Sequence, residues 1–105
     1  MKNMNIFEVL YSNGIIVEEL GLGENFYSYN ITFDIKYSNN ISRNIEMYNI
    51  DFFLHAAKNR AIMQGDITNF IPEPKVQQHS SAPYSFKINA PLPIVVYFAE
   101  RIINI

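Results

Sequence analysis

Residues 26–37 (FYSYNITFDIKY) carry the clearest pattern in the chain. Tyr27, Tyr29, Ile31, Phe33, Ile35 and Tyr37 alternate with Ser28, Asn30, Thr32, Asp34 and Lys36. Successive side chains of a strand point to opposite faces, so the pattern predicts a strand with one buried and one wet face. That is the signature of an antiparallel sheet open to solvent on one side. Tyr27, Ile31, Phe33 and Ile35 are expected in the core. The polar Ser38-Asn39-Asn40 that follows predicts a chain reversal.

Upstream, residues 4–11 read as a strand with Phe7, Val9 and Tyr11 on one face, and residues 15–20 resume after Ser12-Asn13-Gly14. Asn-Gly between apolar runs predicts a hairpin, because a type I′ turn needs positive φ at both central residues. With Asn13 and Gly14 as the loop, Tyr11 faces Ile16 and Glu8 faces Glu19. Like charges directly opposite are unfavourable. Either the register differs or an acidic spot is tolerated there.

From Ile45 onward two patterns compete. As a strand, Tyr48, Ile50, Phe52, Leu54 and Ala56 share a face, with a turn at Lys58-Asn59-Arg60. As a helix, residues 51–64 are capped by Asp51 and stopped by Gly65. Strand, turn, strand is the preferred reading. Residues 71–84 (IPEPKVQQHSSAPY) have no period and three prolines, and are expected to form a long loop. Residues 85–89 form a short strand. Residues 94–105 are apolar on nearly every side and belong to the core. Ile94-Val95-Val96 favours a strand, while Pro93 at a first helical position allows a helix over 93–103.

The closing LPIVVYFAERIINI is similar, over a short span and without a specific motif, to the bacterial export chaperone family in which a proline starts an apolar helix after a four-stranded sheet. The expected fold is mainly β, with α+β as the alternative. It is a single antiparallel sheet, half-barrel or sandwich of about five to seven strands. At most one or two helices are expected, at 51–64 and 93–103, in one domain over 1–105.

Composition narrows the function classes. The 105 residues include seven Tyr and eight Phe, enough for a core without metal or disulfide staples. Cysteine is absent, which excludes disulfides, a thiol nucleophile and thiolate metal sites. The net charge is −2 with no basic run, which argues against nucleic-acid binding. The longest apolar run, residues 91–99, is too short to cross a bilayer. Asn5 and Glu8 interrupt the N-terminal stretch, so no signal peptide is expected and the expected location is cytoplasmic. Gly21-Leu22-Gly23 lacks the rest of a phosphate-binding fingerprint.

Candidate chemistry is sparse. His55 lies four residues after Asp51, as an oriented imidazole would, but no nucleophile completes the set. Ser80 and Ser81 adjoin His79 in a proline-rich segment. Asp66, His55 and His79 do not have metal-ligand spacing. No catalytic residue, metal or cofactor is expected, and the chain is read as a non-enzyme.

Glu8, Glu18, Glu19 and Glu24 cluster beside aromatic-rich segments. Such a patch suits a basic protein partner, with charge setting encounter and aromatic anchors supplying affinity. The expected function is a small binding or inhibitor protein. Its most concrete form is an immunity protein that blocks the active site of a basic bacterial toxin domain such as a nuclease. Heavy use of Ile, Asn, Tyr and Phe, which have AT-rich codons, suits a low-GC bacterium or a phage. The alternatives are a self-assembling structural or chaperone-like module, or a phage anti-defence inhibitor.

Overall fold

The strand foreseen in residues 26–37 forms, but it is shorter than its pattern. The computed structural model describes residues 6–21, 27–69, 71–81 and 83–104. In it, β2 spans Tyr29–Phe33, with Tyr29, Ile31 and Phe33 buried. A 3₁₀ turn, Ile35–Tyr37, follows and ends the alternation. Ile35 and Tyr27 are therefore exposed rather than in the core.

β2 is an interior strand. It lies between β1 (Ile15–Glu19) and β4 (Tyr84–Asn89), and β4 pairs in turn with β3 (Lys75–Ser81). All three pairings are antiparallel, in the order β1-β2-β4-β3. Among the described residues there are also three α-helices: α1 (Ile6–Ser12), α2 (Ser38–Met63) and α3 (Leu92–Asn104). The fold is thus α+β with one four-stranded sheet, not mainly β with five to seven strands.

One face of the sheet carries the core. Phe98 of α3 meets Phe86 of β4 edge-on at 5.8 Å, and Phe86 meets Phe33 at 6.0 Å. Each fully buried phenylalanine contributes about 1.5–3 kcal/mol of transfer free energy. α2 packs along α3, with Phe53, Leu54, Ala57 and Ala61 buried. Asn44 of α2, also buried, donates from Nδ2 to the Ile102 carbonyl at 2.6 Å and so caps the last turn of α3. Packed against both the sheet and α2, α3 buries Ile94, Val95, Val96, Phe98, Ala99 and Ile102. This is why residues 94–105 read as apolar on nearly every side.

Three expectations are overturned for identifiable reasons. Residues 6–12 are helix, not the first arm of a hairpin. Asn-Gly here ends a helix instead: the Asn13 and Gly14 amides donate to the Leu10 and Tyr11 carbonyls, and Gly14 has φ 82°. A left-handed glycine serves a helix C-terminus as well as it serves a turn. Glu8 therefore does not pair with Glu19.

The strand reading of residues 48–56 is wrong because they belong to α2, which is interrupted at Asn49, whose φ of 62° and ψ of 167° are not helical. The break resets the helical phase, so no continuous 3.6-residue stripe crosses it. Asn49 Oδ1 accepts the Asp51 amide at 2.7 Å and the Phe52 amide at 3.3 Å, capping the second half of the helix in place of Asp51. The predicted stop at Gly65 is present, with φ 79°. The Gly65 amide donates to the Ile62 carbonyl at 3.1 Å and the Asp66 amide to the Ala61 carbonyl at 2.9 Å.

Within residues 71–84, expected to be loop, β3 forms. It is an edge strand exposed except at Val76, which packs against the core, so its polar sequence shows no alternation, and pairing with β4 is its main support.

Candidate functional site

The helices leave one face of the sheet uncovered. Register places Ile16, Thr32, Ser85 and Ser80 in one row across it, and Glu18, Asn30, Lys87 and Gln77 in the next. The wet face of β2 is thus the floor of this surface. Its polar side chains hold one another weakly. Asn30 Nδ2 donates to Glu18 Oε1 at 3.4 Å, Ser85 Oγ donates to Asn30 Oδ1 at 3.4 Å, and the Thr32 and Ser85 hydroxyls share a hydrogen at 3.4 Å. Ser28 Oγ donates to Asn89 Oδ1 at 2.6 Å. These half-buried hydroxyls and amides gather donors and acceptors on one face of the sheet.

A groove of about 560 Å³ opens at one end of this face. Tyr11, Ile16, Thr32, Asp34, Ile35 and Lys36 line it. Three local features build it. Gly14 brings the end of α1 against the end of β2, and the Asp34 amide donates to the Gly14 carbonyl at 2.8 Å. A Cβ at Gly14 would lie 3.0 Å from Asp34 Oδ2. The Tyr37 hydroxyl donates to the Asn13 carbonyl, tying the 3₁₀ turn to the same corner. The groove walls are apolar and open: Tyr11 is 69% exposed, Ile35 67% and Ile16 45%. Lys36 Nζ lies 5.3 Å from the Tyr37 ring centroid. Among the described residues, the Asp34 carboxylate makes no hydrogen bond or ion pair.

Comparison with protein-family models, curated proteins and solved structures found no match for this chain.

The acidic cluster is divided by the fold. Glu18 lies on the open face beside Asn30. Glu19 is opposite Tyr29 and so belongs to the helix-covered side, although it is exposed. Burial, and then the negative charge of Glu19, push the Tyr29 phenol pKa up. Glu8, on α1, lines a shallow recess with Tyr11 and Ile16, and both of those also line the groove. Glu24 lies outside the described residues. Glu8, Glu18 and Asp34 thus surround the Ile16 end of the open face, and Glu19 does not. Asp34 looked like an ordinary polar position of a scaffold strand. The signal that marks it is Gly14, the one residue that lets a carboxylate sit so close to the chain.

The histidines stand apart from this site. Asp51 and His55 are both exposed on α2, and no hydrogen bond or ion pair joins them. His79 lies at the irregularity of β3, where the register shifts between Gln78 and Ser80. Ser80 Oγ donates to the Pro83 carbonyl at 2.7 Å and closes the β3–β4 turn. Among the described residues no three His, Asp or Glu converge as metal ligands, and no helix is long and apolar enough to cross a membrane.

A second exposed surface lies at the break in α2. Tyr48 and Phe52 stack across it at 4.9 Å, Met47 is beside them, and the Arg101 guanidinium carbon lies 5.5 Å from the Phe52 ring centroid.

Proposed function

We propose that the protein is a binding module that docks a protein partner on the open face of its sheet. The observation that carries this reading is the combination on one surface of a polar array and an adjoining groove with exposed apolar walls. Apolar anchors bordered by polar groups are the anatomy of a protein interface. The concrete form is an inhibitor that occludes the active site of a toxin, with Glu8, Glu18 and Asp34 favouring a basic target. A non-enzymatic role agrees with the dispersal of Asp51, His55 and His79 from the groove.

Co-expression with the product of the adjacent gene tests it. The wild-type chain relieves growth arrest caused by that product, and a Ser85→Arg variant, which places a long charged side chain mid-face, does not. A neighbour without toxicity, or relief unaffected by the substitution, contradicts the reading.

A second reading, self-assembly, is favoured by the exposed Met47, Tyr48 and Phe52. The β3 edge is a poorer route, because its bulge and Lys75 discourage strand addition. A stable oligomer of the isolated chain, lost in Phe52→Ser, is the outcome that would favour this reading.

A further inference from the structure

We propose that the groove beside Gly14 takes an arginine side chain of the partner as its anchor. The inference rests on the open face being a docking surface and assigns the chemistry of one contact at its end. Charge complementarity selects the occupant. The Asp34 carboxylate lines the groove and, among the described residues, has no hydrogen-bond or ion-pair partner. Glu8 and Glu18 lie around the same end; among the described residues Lys36 is the one cation lining the groove, its stem beside Gly14 and its ammonium 5.3 Å from the Tyr37 ring centroid.

The walls select arginine over lysine. A guanidinium is planar, so it can pair with a carboxylate through two parallel hydrogen bonds and stack on an aromatic ring. Asp34 supplies the carboxylate and the exposed Tyr11 the ring. Ile16 and Ile35 supply apolar surface for the methylene stem. Thr32, which also lines the groove, adds a hydroxyl acceptor.

The test uses the whole chain, labelled with ¹⁵N, and N-acetyl-arginine methylamide as the probe. Saturable shifts are expected at the amides of Gly14, Ile16, Asp34 and Ile35. The isosteric but neutral N-acetyl-citrulline methylamide should bind roughly tenfold more weakly, and so should the arginine probe to Asp34→Asn. Among the described residues the Asp34 side chain makes no bond, so this variant is expected to keep the fold, which its spectrum verifies. Equal binding of the citrulline probe, unchanged binding to Asp34→Asn, or shifts that miss the groove would overturn the proposal.

Failure of the two readings can be told apart. If Ser85→Arg abolishes partner binding but the arginine probe ignores the groove, the anchor is wrong and the docking face stands. If the probe binds as expected and Ser85→Arg leaves partner binding intact, the docking face is wrong and the arginine preference of the groove stands.

Discussion

The Asp34 amide donates to the Gly14 carbonyl across 2.8 Å, and this bond sets the end of β2 against the end of α1. Gly14 has φ 82°, a left-handed conformation that costs an L residue about 1–2 kcal/mol. Its missing Cβ is also what leaves room for the Asp34 and Lys36 side chains. Gly14→Ala is expected to lower stability by about 1–2 kcal/mol. The urea midpoint should fall at unchanged slope, and an unchanged midpoint would contradict the assigned geometry.

Asn49 breaks α2 in a conformation that essentially only glycine adopts freely, at a cost of roughly 1–3 kcal/mol. Its side chain offsets part of that by capping the Asp51 and Phe52 amides. Asn49→Ala keeps the strain and loses the cap, so it should destabilise by about 1 kcal/mol. Asn49→Gly loses the cap but removes the strain, and should be the more stable of the two. The opposite ranking in thermal unfolding would mean that the helix runs straight through this position.

Tyr97 of α3 donates its hydroxyl to Asp66 Oδ2 at 2.5 Å, just past the end of α2. That bond, with some desolvation, holds the phenol pKa above its ordinary value, and the nearby Arg60 opposes the shift. In the unfolded chain the phenol ionises first, at about pH 10. The contribution to stability is therefore full below that pH and is lost as the pH rises through the folded value. The stability difference between wild type and Tyr97→Phe should be constant through neutral pH and shrink above about pH 10. Paired denaturation curves across that range check it. A difference that grows with pH would contradict the bond.

Glu18 and Glu19 are neighbours in sequence but lie on opposite faces of β1. Glu18→Lys should slow association with a basic partner at low ionic strength by up to about 1 kcal/mol, and salt should erase the effect. Glu19→Lys should leave the association rate nearly unchanged. Stopped-flow binding at two salt concentrations separates them, and equal effects would move the interface off the open face.

How much of this the chain displays in advance varies by element. The alternation of residues 26–37 marks β2 as a strand with one wet face, because a half-buried strand has to alternate; its interior place in the sheet is not in that pattern. The apolar run at 94–105 identifies the core helix α3 as core, though not as helix, because burial on several sides removes the period. α1 and the first half of α2 are hidden. A left-handed Gly14 serves a hairpin turn and a helix end alike, and Asn49 interrupts the stripe that would have marked a long helix. β3 is hidden because an edge strand with a single half-buried residue, Val76, needs no apolar alternation. For the site, Glu8 and Glu18 were visible as acidic positions. Asp34 was not, because its role depends on the approach of Gly14 from a different element.

The central claim is that the open face of the sheet is the docking surface. Calorimetric titration of the wild-type chain and of Ser85→Arg into the protein encoded beside it tests this most directly, with circular dichroism confirming that both are folded. The wild type is predicted to bind with a saturable stoichiometry, and Ser85→Arg to bind more weakly by at least about 2 kcal/mol. Equal affinity for the two chains, or no binding by the wild type, would contradict it.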